Sequence, residues 1–223
     1  MRRGGAHTVD LVLLTPRSGT LAVLVQRGTG GKDDALPWSS PRAADALAQS
    51  AKQLARQAAG AEPGWLEQLS AYGGAERHPS GAAVSVAFVG VIGAAAADAA
   101  AGRASKGAQW AAIESVTGLT LRQAAMLDAA ISAVRDRLDH SPIAFKLLPG
   151  TFTLSDLQGI YELLLGRRLH KASFRRSLQA AYLVEPTDEW RSEGRGRPAQ
   201  LFRFAPRKRR ASRRGVRFEL LAN

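Results

Sequence analysis

The chain has no cysteine among its 223 residues. That excludes disulfide scaffolds, thiolate-bound zinc, iron–sulfur clusters and thiol catalysis. Histidine is almost as sparse: His7, His78, His140 and His170 are scattered along the sequence, so no histidine-built metal site or other cofactor is expected. No apolar run approaches the roughly 20 residues that cross a bilayer as a helix, so no membrane partner is expected. The opening MRRGGAHTVD lacks the apolar core, about 7–15 residues long, of a signal peptide, and a cytoplasmic protein is expected. Hydrophobic residues still make up 45% of the chain, enough to bury a core and to exclude a wholly disordered protein.

Positive charge is what the chain has in excess. Its 31 Lys+Arg exceed its 19 Asp+Glu and give a net charge of +12. The excess is uneven: residues 1–140 carry +2 and residues 141–223 carry +10. The bland reading is a solvated basic surface. The sharper one is an electrostatic footprint for nucleic acid, confined to the C-terminal part. Two domains are therefore expected, 1–140 and 141–223, meeting at the helix-stopping run Asp139-His140-Ser141-Pro142.

The N-terminal part reads as alternating α/β. Residues 8–15 and 20–26 are β-rich runs separated by Pro16, Ser18 and Gly19, a hairpin signal. A helix is expected over 42–59, with Leu47, Ala51, Leu54 and Ala58 on one face. Strands follow at 66–72 and 82–92, the second almost continuously apolar and so central. The Ala/Gly-rich run 93–109 is expected to be a loop. Residues 119–138 form a second amphipathic helix, with Ala124, Leu127, Ile131, Val134 and Leu138 spaced by three or four. Trp38 and Trp65 are expected in the core rather than as stacking platforms.

The C-terminal part reads as a winged helix-turn-helix. Residues 142–148 form a short apolar helix, and 151–153 a brief extended piece. Thr153, with Asp156 three residues on, opens the next helix as a capping box, and Gly166 ends it. The following helix, 170–182, buries Phe174, Leu178 and Ala181 and displays Lys171, Ser173, Arg175, Arg176 and Gln179 on its other side. Residues 184–186 and 200–204 read as the strands of a wing whose tip carries Arg195 and Arg197, suited to a minor groove or a phosphate ridge. Such a helix fits the major groove of double-stranded DNA, whereas single-stranded RNA readers expose aromatics for stacking. Phe152, Phe174, Phe202 and Phe204 all fall at core-periodic positions here. The tail RKRRASRR, 207–214, and Arg2 with Arg3 add sequence-independent phosphate affinity or are solvated termini.

Arg27-Gly28 after a strand, Leu36-Pro37, one helix, then Leu66-Glu67-Gln68-Leu69, Tyr72-Gly73, Arg77, Pro79 and Ser85-Val86-Ala87 together resemble a Nudix domain. More particularly, they resemble the Nudix-related transcriptional regulators of the NrtR family. The segments FTLSDLQGIYELLLGRRLHKASFRRSL and GRGRPAQLFRF are similar to that family's winged helix. The resemblance implies a Nudix-like α/β/α sandwich followed by a winged helix. It implies a homodimeric repressor of NAD-metabolism genes that binds operator DNA and answers to ADP-ribose or a related NAD metabolite.

The Nudix box, G-x5-E-x7-R-E-U-x-E-E-x-G-U with U aliphatic, is degenerate here. With Leu54 as the aliphatic anchor, Trp38 takes the first glycine, Ala44 the first glutamate and Lys52 the arginine. Gln53, Arg56 and Gln57 stand where three glutamates belong, and Ala59, beside Gly60, takes the second glycine. Hard divalent cations need oxygen anions, and none lies between Asp45 and Glu62. No catalysis is expected. Arg27, at a glycine turn after a strand, either grips a ligand phosphate or is a solvated surface residue. The resemblance places Arg77 beside a nucleotide pocket, with a turn-stabilising charge as the alternative. Two other functions remain open: an active hydrolase of nucleoside diphosphate derivatives with an accessory nucleic-acid-binding domain, and a nucleic-acid binder whose Nudix fold serves only for dimerisation.

Overall fold

The computed structural model describes residues 7–28, 34–42, 45–74, 78–192 and 198–205. The chain divides into two compact units, Met1–Ala133 and Val134–Asn223. In the first, β1 (His7–Arg17) and β2 (Thr20–Gln26) form the expected hairpin, with Arg17 opposite Thr20. Ser18 and Gly19 between them both have positive φ, as a two-residue turn matched to strand twist requires. β3 (Trp38–Ser39) pairs with the other end of β1, through Val9 and Asp10. β4 (Trp65–Tyr72) and β5 (Val84–Val91) lie on the far side, β5 running parallel to β1. The sheet order is β4-β5-β1-β2-β6, with β6 at Ala108–Ala112.

Strand alternation sends successive residues of β1 to opposite faces. Val9, Leu11 and Leu13 join Phe88 and Ile92 in a core with Ala51, Leu54, Ala55 and Ala58 of α1 (Leu47–Ala59). Asp10 points the other way, to α3 (Leu121–Arg137). The unit is thus a sheet covered on both sides. α1 begins at Leu47 rather than at the expected 42: its N-cap, Ala46, is extended and makes no side-chain capping bond. Gly60 closes it with φ of 71°, and a Cβ there would meet the Ala100 carbonyl oxygen at 2.6 Å. Only glycine suits that position.

The Ala-rich run expected as a loop is ordered instead. It holds α2 (Ala94–Ala100), a short 3-10 turn (Ala101–Arg103) and the edge strand β6. Alanine is the best helix former, and Ala97 and Ala100 are buried. β6 is held by its backbone ladder to β2, which needs no distinctive side-chain pattern. The expected boundary at 139–142 lies just past α3, whereas the division falls inside that helix. Its last turn belongs to the second unit, where Arg135 Nε donates to the Leu164 carbonyl at 2.9 Å.

The second unit continues with α4 (Ile143–Lys146), α5 (Leu154–Leu165), α6 (Lys171–Ala181) and the hairpin β7 (Val184–Arg191) and β8 (Ala199–Phe204). β7 runs five residues beyond the expected 184–186. The capping box forms as read: Thr153 Oγ1 accepts the Asp156 amide at 3.0 Å, and Asp156 Oδ2 accepts the Thr153 amide at 2.8 Å. Phe152 exchanges both backbone hydrogen bonds with Phe202, an isolated bridge beside the two-stranded wing sheet. Phe145 against Phe152 and Phe204, and Tyr161 against Phe174, fill the core. The described residues include no helix long and apolar enough to cross a membrane.

Candidate functional site

Gln53 and Gln57 lie four residues apart, and so on one side of α1. Both are exposed, and both line a cavity of about 350 Å³ between α1 and the segment after β3. That size falls in the range of about 300–1,000 Å³ typical of small-molecule sites. Ser39 of β3, with Ser40 and Arg42 just after it, also lines the cavity, and Asp45 is the single carboxylate among the described lining residues. Ser50 also lines it, and its buried Oγ has no partner among the described residues. Arg56 is not among the lining residues, and its guanidinium pairs with Glu62, just past the helix end.

This donor set does not fit the divalent metal that a Nudix fold implies. Two neutral amides, hydroxyls and one carboxylate offer too little anionic charge for Mg²⁺, and Arg42 adds a positive charge to the same wall. The described residues contain no group of three or more His, Asp or Glu side chains placed to share an ion. What the wall offers is hydrogen-bond donors and a guanidinium, the chemistry that holds an anionic or hydroxyl-rich molecule.

The two arginines singled out from sequence fare differently. Arg27 is exposed, lies 3.9 Å from the Asp34 carboxylate and is not among the cavity's lining residues. Arg77 lies outside the described residues, as do Arg2, Arg3, Ala44, Arg195, Arg197 and the tail 207–214. Trp38, expected in the core, is 37% exposed, with its ring edge-on to His78 at 5.4 Å. The two-residue strand β3 leaves one of its faces open.

Sequence reading missed a buried polar cluster behind the sheet. Asp10, fully buried in β1, accepts from Thr8 Oγ1 at 2.7 Å. His78 Nε2 lies 2.7 Å from Asp10 Oδ1. The Ser80 amide donates to His78 Nδ1 at 3.1 Å, which leaves Nε2 as the protonated nitrogen facing Asp10. Ser80 Oγ lies 2.7 Å from the same Nδ1 and accepts the Ala82 amide, so the group braces a tight turn. From α3, Gln123 Nε2 donates to Asp10 Oδ1 and to the Leu36 carbonyl, each at 3.3 Å, while its Oε1 accepts the Leu36 amide at 3.2 Å. Arg122 Nη1 donates to the Ala82 carbonyl at 3.0 Å. An Asp interrupting the apolar run TVDLVLL was the one signal in the sequence that polar partners waited behind that strand.

In the second unit, α6 buries Phe174 and Leu178 and exposes Lys171, Arg175, Arg176 and Gln179. The expected inner residue Ala181 is only half-buried, next to the helix-ending Tyr182, whose φ is 53°. Ser173 is half-buried, its Oγ 3.1 Å from His170 Nδ1, the capping group of α6. Glu162 of α5 sets the turn before α6. Its carboxylate accepts the Leu169 amide at 2.9 Å, the Gln158 amide group at 2.9 Å and Arg168 at 3.1 Å. Burial works to raise its pKa, but those hydrogen bonds and the Arg168 charge outweigh it and hold the carboxyl below its usual range. Asp156 is lowered likewise: burial is outweighed by Arg191 at 2.8 Å and by the Thr153 hydrogen bonds. Burial, with Asp139 nearby, pushes the Tyr161 phenol up. Trp190 of β7 is 57% exposed.

Residues 144–204 match the NrtR DNA-binding winged helix domain. Over 206 residues the chain is 30% identical to the ADPR responsive transcriptional repressor NtrR of Acinetobacter baylyi, covering 89% of this chain and 81% of that protein. Shewanella oneidensis NrtR, solved in complex with a 27mer DNA, is similar with a TM-score of 0.77 at 26% identity, covering 90% of this chain and 94% of that one. A MutT/nudix family protein from Enterococcus faecalis shares the fold, with a TM-score of 0.64 at 19% identity, covering 92% and 88%.

Proposed function

The chain belongs to the NrtR family of Nudix-related transcriptional repressors, and from that premise we propose that it represses genes of NAD metabolism as a homodimer on operator DNA, released by ADP-ribose or a related NAD metabolite. The C-terminal part, 141–223, is the DNA-binding domain. Lys171, Ser173, Arg175 and Arg176 of α6 read the major groove, and Arg195 and Arg197 hold a phosphate ridge or minor groove. The N-terminal part, 1–140, senses the effector, dimerises and does not catalyse. The Acinetobacter relative's response to ADPR and the Shewanella relative's complex with DNA support both halves of the reading.

One observation carries the proposal. The outer face of α1, where a hydrolase displays metal-binding carboxylates, displays Gln53 and Gln57 over a cavity that also holds Arg42 and Ser50. Neutral donors and a guanidinium bind a diphosphate sugar without preparing it for attack. Arg27 and Arg77 are the further candidates for effector phosphates. The test is titration calorimetry of the full chain with ADP-ribose in EDTA, alongside footprinting on DNA from the protein's own upstream region. Saturable binding that survives EDTA and a protected palindrome are expected. No binding with or without metal overturns the effector reading, and no protected site overturns the repressor reading.

A further inference from the structure

Gln123 and Leu36 stand 87 positions apart in sequence, and both are fully buried. The Gln123 carboxamide meets the Leu36 peptide as a second peptide would, accepting its N–H at 3.2 Å and donating to its C=O at 3.3 Å. The carboxamide also donates to Asp10 Oδ1. The Leu36 peptide is buried, so breaking the set leaves its N–H and C=O desolvated and without these bonds, a costly outcome, while Asp10 keeps Thr8 and His78. The arrangement has one favoured register and resists intermediate positions.

The segment gripped by Gln123 leads directly to the cavity. Leu36 and Pro37 run into β3, and Ser39 and Ser40 line the cavity wall. Along this stretch the backbone is bonded to β1, through Leu11 N–H to the Pro37 carbonyl at 2.9 Å and the pairing of Trp38 with Asp10. Gln123 itself sits in the first turn of α3, the helix that begins in the first unit and ends in the second. The cavity wall, the Leu36 peptide, the Gln123 side chain and α3 are therefore joined by consecutive hydrogen bonds and covalent chain.

We propose that Gln123 is a positioning residue for regulation: it senses the placement of the 36–40 segment and passes effector occupancy of the cavity to α3. The proposal rests on the effector reading above and assigns its transmission to one side chain. An occupant that hydrogen-bonds Ser39 and Ser40 shifts the segment or fixes it, and the carboxamide must follow the Leu36 peptide or lose it. An effector acts only through such a difference between two states.

Hydrogen exchange of the full chain, with and without saturating ADP-ribose, tests this beside calorimetry of the same samples. In the wild type, ADP-ribose should change exchange at the Leu36 amide and in the first turns of α3 together. In Gln123→Met, ADP-ribose affinity should stay within a few-fold of wild type while the response of α3 disappears. Gln123→Asn, one methylene too short to reach Leu36, should behave alike and serves if the Met variant does not fold. An α3 response that persists in either folded variant overturns the proposal. So does wild-type binding that moves the Leu36 amide without α3. Failure of ADP-ribose to bind the wild type overturns instead the effector reading on which the proposal stands.

Discussion

Glu162 accepts the amide of Leu169 seven residues later, and by that bond the last turn of α5 fixes the turn into α6. The same carboxylate holds Gln158 and Arg168. The residues that face DNA in the proposed function are thus set by a side chain that does not face it. Glu162→Ala should lower the stability of the full chain by about 1–3 kcal/mol, since a buried amide loses its acceptor. Operator affinity should fall with it even though no DNA contact is removed. Urea melts and operator binding of the variant check both effects, and unchanged operator affinity would show that the turn is set otherwise.

Acid should loosen this unit. Glu162 and Asp156 are both held below their ordinary values of 4.5 and 3.8. Groups with lowered folded values contribute their full stabilisation above the unfolded values. They lose it as pH falls through the folded ones, where the native state must also take up protons. Melting temperature should therefore decline from just below pH 4.5 downward, and the decline should be shallower in Glu162→Gln. Arg168 is exposed and Arg191 partly so, and the effect is therefore screened by salt. A pH profile identical in wild type and variant would assign the acid sensitivity elsewhere.

On α6, Arg175→Ala or Arg176→Ala should cost about 1–3 kcal/mol of operator binding where the lost contact is to a base edge. Removing residues beyond 206 deletes charges from the basic tail instead. That truncation should weaken binding to all sequences and flatten its salt dependence. Salt titrations on operator and on random duplex separate the two. The assignment of α6 fails if truncation alone abolishes specificity while the arginine variants bind normally.

The cavity should not hydrolyse ADP-ribose with Mg²⁺ or Mn²⁺. Gln53→Glu alone should restore nothing, because two carboxylates with Arg42 beside them still make a poor metal site. Product formation that EDTA abolishes, measured against a boiled control, is the contrary result.

Much of this architecture is legible in the sequence wherever the governing interaction is local. The Ser18-Gly19 turn, the Thr153/Asp156 box and the apolar spacing of α6 each depend on residues within a few positions, and period and turn chemistry expose them. The box likewise put Gln53 and Gln57 where glutamates belong, four residues apart in α1. Arg56, in the same box, pairs with Glu62 beyond the helix end, which spacing inside the box does not reveal. The Ala-rich run deceived because alanine serves a helix and an edge strand with the same side chain. The polar cluster was hidden for a different reason: Asp10, His78 and Gln123 are brought together only by the sheet and the helix behind it.

Effector binding and operator binding should be thermodynamically reciprocal. ADP-ribose is expected to lower operator affinity by about 5–150-fold, a coupling of about 1–3 kcal/mol, and saturating operator must weaken ADP-ribose by the same factor. Calorimetry with and without operator measures it. Equal ADP-ribose affinity in both conditions would mean that the cavity does not govern DNA binding.

The inner side of α1 is built from Ala51, Leu54, Ala55, Ala58 and Ala59, which settle onto β1 and β5, while Gln53, Arg56 and Gln57 look outward. Packing and chemistry are therefore written in separate letters of one helix. A lineage can exchange the outward letters without disturbing the inward ones, so a cleaving pocket and a merely recognising one are neighbours in sequence space, a handful of surface substitutions apart on an unaltered scaffold.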